Sequence, residues 1–274
     1  MLYVWHVDFA KALKRVPHDW SVYHIYDEYS HSEVEQQIGS AEDGLIRAVD
    51  QVITVSPTMF ERKGRLNSNT VLLTNGVDYD AFAQPTAEPE DLRNIPRPRI
   101  GYAGVVKRQL DWELISALVA RRPDWSFVFA GARAPHPDIT ETLDRLTKLP
   151  NVMFLGMKAV DALAQYPQHF DVCVMPYREN DYTKYIYPLK LHEYLASGRP
   201  VVSIPLPALA GLERHVTVAQ GPEDWERAIQ VSLAPDANAG RAERQAEARR
   251  HDWATIADDI ATLIRRGLNA GTAP

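Results

Sequence analysis

Tyr187-Pro-Leu-Lys-Leu-His-Glu-Tyr-Leu-Ala-Ser-Gly-Arg-Pro-Val-Val202 is the stretch of this chain whose reading decides the fold. Pro188 suits a first helical turn, where a missing amide hydrogen is no loss, and Gly198 suits a left-handed cap. Pro200 then stops the helix before the apolar run Val201–Ile204. A capped helix feeding a short buried strand is half of a strand–helix–strand unit, and the pattern continues in both directions. Short β-rich runs fall at Leu2–His6, Val22–Tyr26, Gln51–Ser56, Val71–Asn75 and Arg99–Ala103, then at Ser126–Ala130, Val152–Leu155, Val172–Pro176, Pro200–Ile204 and Val216–Ala219. Most are continuously apolar, as parallel strands buried on both faces require. The stretches between them, such as Asp111–Arg121 and Ile139–Lys148, predict amphipathic helices. Such alternation predicts a doubly wound α/β architecture, and the irregular middle of the chain argues against a TIM barrel.

The chain has 274 residues, 45% of them apolar, and a formal charge of −6. Length favours two domains, and the acidic balance argues against a general nucleic-acid binder. The charge is uneven: residues 1–95 carry 8 basic and 15 acidic side chains, and the remainder 22 and 21. The same boundary falls within Phe82–Pro98, whose four prolines and scattered charges read as a linker. We therefore expect a domain over residues 1–95, linker included, and a second over 96–274. The first is short for a Rossmann-like domain, with four strands against six, and is expected to lack its opening β–α units. Glu243–Arg250 and His251–Leu268 predict closing helices, the last one packing back toward the first domain. The single Cys173 sits in an apolar run and reads as core filler. No apolar stretch reaches the roughly 18–20 residues of a transmembrane helix, and Met1–Ala12 lacks the pattern of a signal peptide. A cytoplasmic protein is expected, with docking at the inner face of the membrane left open.

Four local patterns can carry chemistry. A helix starting at Pro188 points free amides at whatever lies beyond the preceding strand, and such an end attracts phosphates. Lys190 and Glu193 share one face of that helix; the first can meet a phosphate and the second can accept from two ribose hydroxyls. The same spacing also suits an ordinary surface ion pair. Gly104 follows a strand and would let backbone approach a ligand, with Lys107 and Arg108 beside it to neutralise a diphosphate. Gly131 and Gly156 close the next two strands in the same way, all at carboxyl ends, where open α/β sheets bind ligands. Leu73-Thr-Asn-Gly-Val-Asp78 reads as a turn with Asp78 as a cap. Asp27, in Tyr26-Asp-Glu-Tyr29, should emerge at the end of a buried strand, placed to act as general base toward an acceptor hydroxyl or simply as a turn residue. There is no Cys pair, no His-x-x-x-His, no Gly-x-Ser-x-Gly and no P-loop. Asn180 and Asp181 lack a second carboxylate at metal-ligand spacing, so neither a metal nor a cofactor is expected.

Taken in order, Ile53-Thr-Val-Ser56, Asn75-Gly-Val-Asp78 and Pro188–Val202 resemble the signatures of retaining glycosyltransferases with two Rossmann-like domains (the GT-B fold, group 1 or family 4 type), in their bacterial polysaccharide or cell-wall flavour. The resemblance implies transfer of a sugar from a nucleotide-diphosphate sugar to a glycan or lipid-linked acceptor without a metal. It implies that Glu193 holds the donor ribose and that Gly104, Lys107, Arg108, Leu189 and Lys190 surround the diphosphate. It also implies that Gly156, Met157 and Lys158 lie beside the base and Asp27 beside the reacting sugar. Two departures stand out. Where relatives carry a second glutamate on the donor sugar this chain has Tyr185, for which Asn180 or Asp181 would compensate. Relatives also carry about 90 further residues at the start. A non-catalytic or half-enzyme nucleotide-sugar-binding subunit completed by a partner protein is therefore the alternative, and a nucleotide-sugar epimerase a more distant one.

Overall fold

The computed structural model describes residues 1–29, 39–234 and 239–270. All ten expected strands form, with ends shifted by at most three residues: β1 Leu2–Val4, β2 Ser21–Ile25, β3 Gln51–Thr54, β4 Thr70–Leu72, β5 Arg99–Ala103, β6 Ser126–Ala130, β7 Val152–Gly156, β8 Val172–Met175, β9 Val201–Ser203 and β10 Val216–Val218. They make two wholly parallel sheets, ordered β1-β2-β3-β4 and β10-β9-β8-β5-β6-β7. The chain divides into two compact units, one holding residues 1–76, 180–188 and those from Trp253 onward, the other Val77–Glu179 and Leu189–Asp252.

This division differs from the expected boundary near residue 95. The proline-rich stretch belongs to the second unit because Arg99, at the start of β5, gathers it in. The buried guanidinium donates to Leu92 O at 2.7 Å, to Ile95 O at 3.0 Å and to Glu88 at 2.5 Å. Leu92 is fully buried beneath it. Asp78 caps the helix Tyr79–Ala83, accepting from the Ala81 amide at 3.2 Å, the structural role expected of it.

In the first unit one face of the sheet packs Val4, Tyr23, Ile25 and Val52 against Ile46 and Met59. The other face, Trp20, Val22 and Ile53, is covered by Ile260, Leu263, Ile264 and Leu268 of the helix Trp253–Ala270. That helix approaches so closely that a Cβ on Gly267 would overlap the Trp20 ring. The C-terminal helix thus packs on the N-terminal sheet, as expected. A buried charge cluster lies among these apolar groups. Lys63, 1% exposed, holds Glu42 at 2.6 Å and Glu28 at 3.4 Å, and Tyr23 Oη donates to Glu42 at 3.1 Å.

In the second unit β5 pairs with β6 on one side and β8 on the other, so the winding reverses direction between β5 and β8. Ligand crevices in open α/β sheets lie at such switch points, beyond the carboxyl ends of the strands. Cys173 is buried in β8, and burial pushes its thiol up to about 12, consistent with filler. Among the described residues no helix is long and apolar enough to cross a membrane.

Candidate active site

The quoted stretch folds as read: the helix Leu189–Ser197, the left-handed Gly198 (φ 74°), then β9. Tyr194 fixes this helix onto the switch point. Its fully buried hydroxyl accepts from the Ala103 amide at 2.9 Å and lies 3.4 Å from Ala103 O, to which it donates. Residues four apart share a helix face, so Lys190 lies over the next residue of the strand end, Gly104. There the backbone has φ 142°, and a Cβ would overlap Lys190 Cε and Nζ. The dihedral calls for glycine here, and a side chain would also push the end of the lysine aside.

The neighbouring strands end in step. Gly104 donates to Ala130 O at 2.7 Å, and Gly131, with φ 148°, donates to Gly156 O at 2.9 Å. A Cβ on Gly131 would overlap the backbone of Gly104. Three glycine-ended strands, β5, β6 and β7, therefore form one terrace at the carboxyl edge. The loop after β5 is pinned by Trp112, whose indole donates to Lys107 O at 3.0 Å.

Lys190 and Glu193 are both half-buried, and among the described residues neither head group has a hydrogen-bond or ion-pair partner. The Lys190 ammonium lies 5.3 Å from the Tyr102 ring centroid. Burial pulls its pKa down, Glu193 opposes this and Lys107 adds to it. Burial raises the pKa of Glu193, with Lys190 opposing. Each group thus leans toward its neutral form for want of a partner, which is the signature of a site that a ligand completes. Behind them His192 is fully buried and stacks on His251, ring centroids 3.8 Å and planes 17° apart. Burial, then His251, brings its pKa down to about 3.

The remaining sequence-chosen residues are spread over both units. Arg108 is 3.8 Å from Asp138, a loose pair. Leu189 is the exposed first residue of the helix. Lys158 is tied by a 2.7 Å ion pair to Asp91, and lies 5.5 Å from the Tyr166 ring centroid. That ties it to the proline-rich stretch, while its neighbour Met157 is 81% exposed. Asn180, Asp181 and Tyr185 belong to the first unit. Asn180 closes a turn with Thr183, accepting from its amide at 2.9 Å. Asp181 pairs with Lys184 at 2.7 Å. Tyr185 packs on the first core, its hydroxyl 3.4 Å from Arg62. Asp27 does emerge at the end of β2. Its Oδ1 accepts from the Glu28 amide at 2.8 Å, and its Oδ2 lies 3.5 Å from Tyr182 Oη. Burial, then Asp27, pushes the Tyr182 hydroxyl up to about 12.

Sequence reasoning missed two groups. Tyr194 could have been found from its place four residues after Lys190. Lys63 gave no signal, since a lysine at a helix end is ordinarily exposed.

The sequence pattern of the family described as Glycosyl transferases group 1 matches residues 97–234, the terrace, the helix and both their supporting strands. The chain belongs to that family. It is 29% identical over 231 residues to TuaH of Bacillus subtilis (strain 168), a protein named as a glycosyltransferase of teichuronic acid biosynthesis; the match covers 79% of this chain and 57% of TuaH. Among solved structures it is similar to sucrose-phosphate synthase from Thermosynechococcus elongatus, with TM-score 0.77, 24% identity and coverage of 98% of this chain and 73% of that one. It is similar to Anabaena HepE in complex with UDP-glucose, with TM-score 0.71, 19% identity and coverage of 94% and 77%. A Burkholderia vietnamiensis trehalose-phosphate synthase gives TM-score 0.72 at 18% identity, over 99% and 73%. These likenesses show the fold, which is GT-B: two Rossmann-like sheets on one chain.

Proposed function

We propose that this group 1 chain binds a nucleoside-diphosphate sugar at the terrace of its second unit and transfers the sugar to a glycan or lipid-linked acceptor. The observation that carries the reading is the unpartnered Lys190–Glu193 pair over Gly104. The Lys190 ammonium and the free amides of its helix stabilise the departing diphosphate, with Lys107 and Arg108 nearby, so the chain's own cations do this work and no metal is invoked. Glu193 takes the two ribose hydroxyls. Asp27 serves as base toward the acceptor hydroxyl from the first unit.

HepE was crystallised with UDP-glucose and TuaH is named for teichuronic acid synthesis, which makes a uridine donor and a cell-wall glycan acceptor the first choices to test. A cytoplasmic setting goes with this reading, Cys173 being an unpaired thiol. The alternative, a nucleotide-sugar-binding subunit that works with a partner protein, is favoured by Tyr185. It packs into the first core instead of offering a carboxylate to the donor sugar.

Isothermal titration with UDP, GDP and ADP tests the donor site. Binding of one of them, weakened by about ten- to a hundredfold in Glu193→Ala, is expected, because charge-assisted hydrogen bonds contribute about 1.5–3 kcal/mol. Unchanged affinity in that variant would overturn the assignment. Release of UDP from UDP-glucose in the presence of acceptor then separates transferase from binding subunit.

A further inference from the structure

The opposite edge of the second sheet holds a second cluster of ionisable groups. A cavity of about 500 Å³ opens at the amino ends of β5, β6, β8 and β9, and its walls include Arg97, Arg122, Asp124, Trp125, Asp171 and Arg199. Both carboxylates are already engaged. Asp171 pairs with Arg97 and accepts from the Arg99 amide at 2.7 Å. Asp124 takes Nε and Nη2 of Arg122, at 2.9 and 2.7 Å, and Nη1 donates to Gln230 Oε1 at 2.7 Å. The Arg122 guanidinium carbon lies over the Trp125 ring, 3.9 Å from its centroid, so packing helps to fix its position.

Arg199 differs from the other two. It is half-buried, and its Nε and Nη2 donate to a neutral acceptor, Gln168 O, at 2.8 and 2.5 Å. Among the described residues no carboxylate pairs with it and Nη1 has no acceptor. Burial lowers its pKa, and the positive charges of Arg241 and Arg97 press the same way, opposed by Asp171. A half-buried guanidinium that no carboxylate pairs with, in a cavity large enough for a small molecule, is open to an anion.

We propose that this cavity is a second binding site, for a phosphate dianion, free or as the phosphomonoester of a small sugar, with Arg199 as anchor through Nη1 and the charge of Arg122, whose donors Asp124 and Gln230 hold, as support from the wall. A charge-assisted hydrogen bond from Arg199 Nη1 to a phosphate oxygen is stronger than a neutral one, and the fixed positions of both arginines lower the ordering cost of binding. The site is distinct from the terrace, because its residues precede the strands whose far ends form the terrace. It stands whether or not the donor reading does.

The test is isothermal titration of inorganic phosphate, glucose 1-phosphate and glucose into protein saturated with UDP, repeated without UDP on Lys190→Met so that the terrace does not supply the signal. Phosphate and glucose 1-phosphate bind and glucose does not. Arg199→Gln weakens binding at least about tenfold, and Arg122→Gln about threefold, with UDP affinity unchanged in both. Tighter binding of the sugar phosphate assigns the ester, and equal binding assigns free phosphate; either upholds the dianion site. No phosphate binding, or binding unaltered in both variants, overturns it. If Arg199→Gln does not fold, as judged by circular dichroism, Arg122→Gln alone decides.

Discussion

Two lysines, one in each unit, show what burial does to a charge with and without a partner. Lys63 is almost wholly enclosed, yet it holds carboxylates at 2.6 and 3.4 Å, so its charge is met within the fold. Lys190 is only half-buried, but it lies over a glycine and an aromatic face with its ammonium unpaired. Depth alone would rank Lys63 as the more unusual residue. The state of its neighbours makes Lys190 the one proposed to meet a ligand. A satisfied buried charge belongs to the fold, whereas an unsatisfied one waits for its counter-ion.

The comparison breaks first at Lys63. Lys63→Met leaves Glu42 enclosed without its cation and Glu28 with only Arg62, at 3.7 Å, and a loss of about 3–5 kcal/mol in unfolding free energy is expected. Urea denaturation reads it, and Glu42→Gln added to Lys63→Met should recover part of the loss. A stability within about 1 kcal/mol of wild type would mean that Lys63 is no more structural than Lys190.

At Lys190 the effect moves from stability to binding. Lys190→Ala should leave unfolding free energy nearly unchanged while weakening UDP by about ten- to a hundredfold. Gly104→Ala should weaken UDP by a similar factor, because the new methyl group drives the lysine off its seat. The double variant should then be little worse than either single one, since both remove the same contact. Fully additive losses would show that Gly104 acts on the ligand by a separate route.

A third test is the pH dependence of the helix that carries Lys190. His192 and His251 are both depressed in the folded state below the ordinary 6.5, His192 to about 3. The unfolded chain therefore binds more protons between these limits, so stability rises with pH there and is lost as pH falls from 6.5 toward 3. Thermal melts across that range should show the decline, and His192→Phe should flatten it. A decline of equal steepness in that variant would assign it to other groups.

The sequence made the strands legible because parallel strands buried on both faces must be apolar throughout, as in Ile100–Ala103, Phe127–Ala130 and Val172–Met175. It also made legible whatever chemistry is local: Lys190 and Glu193 three apart, and glycine directly after β5 and β6. It hid what depends on distant partners. Nothing about Lys158 announces Asp91, 67 positions earlier, as its ion-pair partner. The prolines of 82–98 read equally as linker or as irregular packed chain until Arg99 draws the segment under β5. Tyr185, Asn180 and Asp181 lie close in sequence to the site helix, but their side chains find their partners in the first unit.

The Tyr194 hydroxyl, closed on both polar atoms of Ala103, has a further meaning. It rivets the glycine terrace and the helix Leu189–Ser197 into a single plate, so a ligand of the proposed site would meet both halves already at one separation. Little of its binding energy is then diverted to assembling the receptor, and what remains can be directed at the bond that breaks.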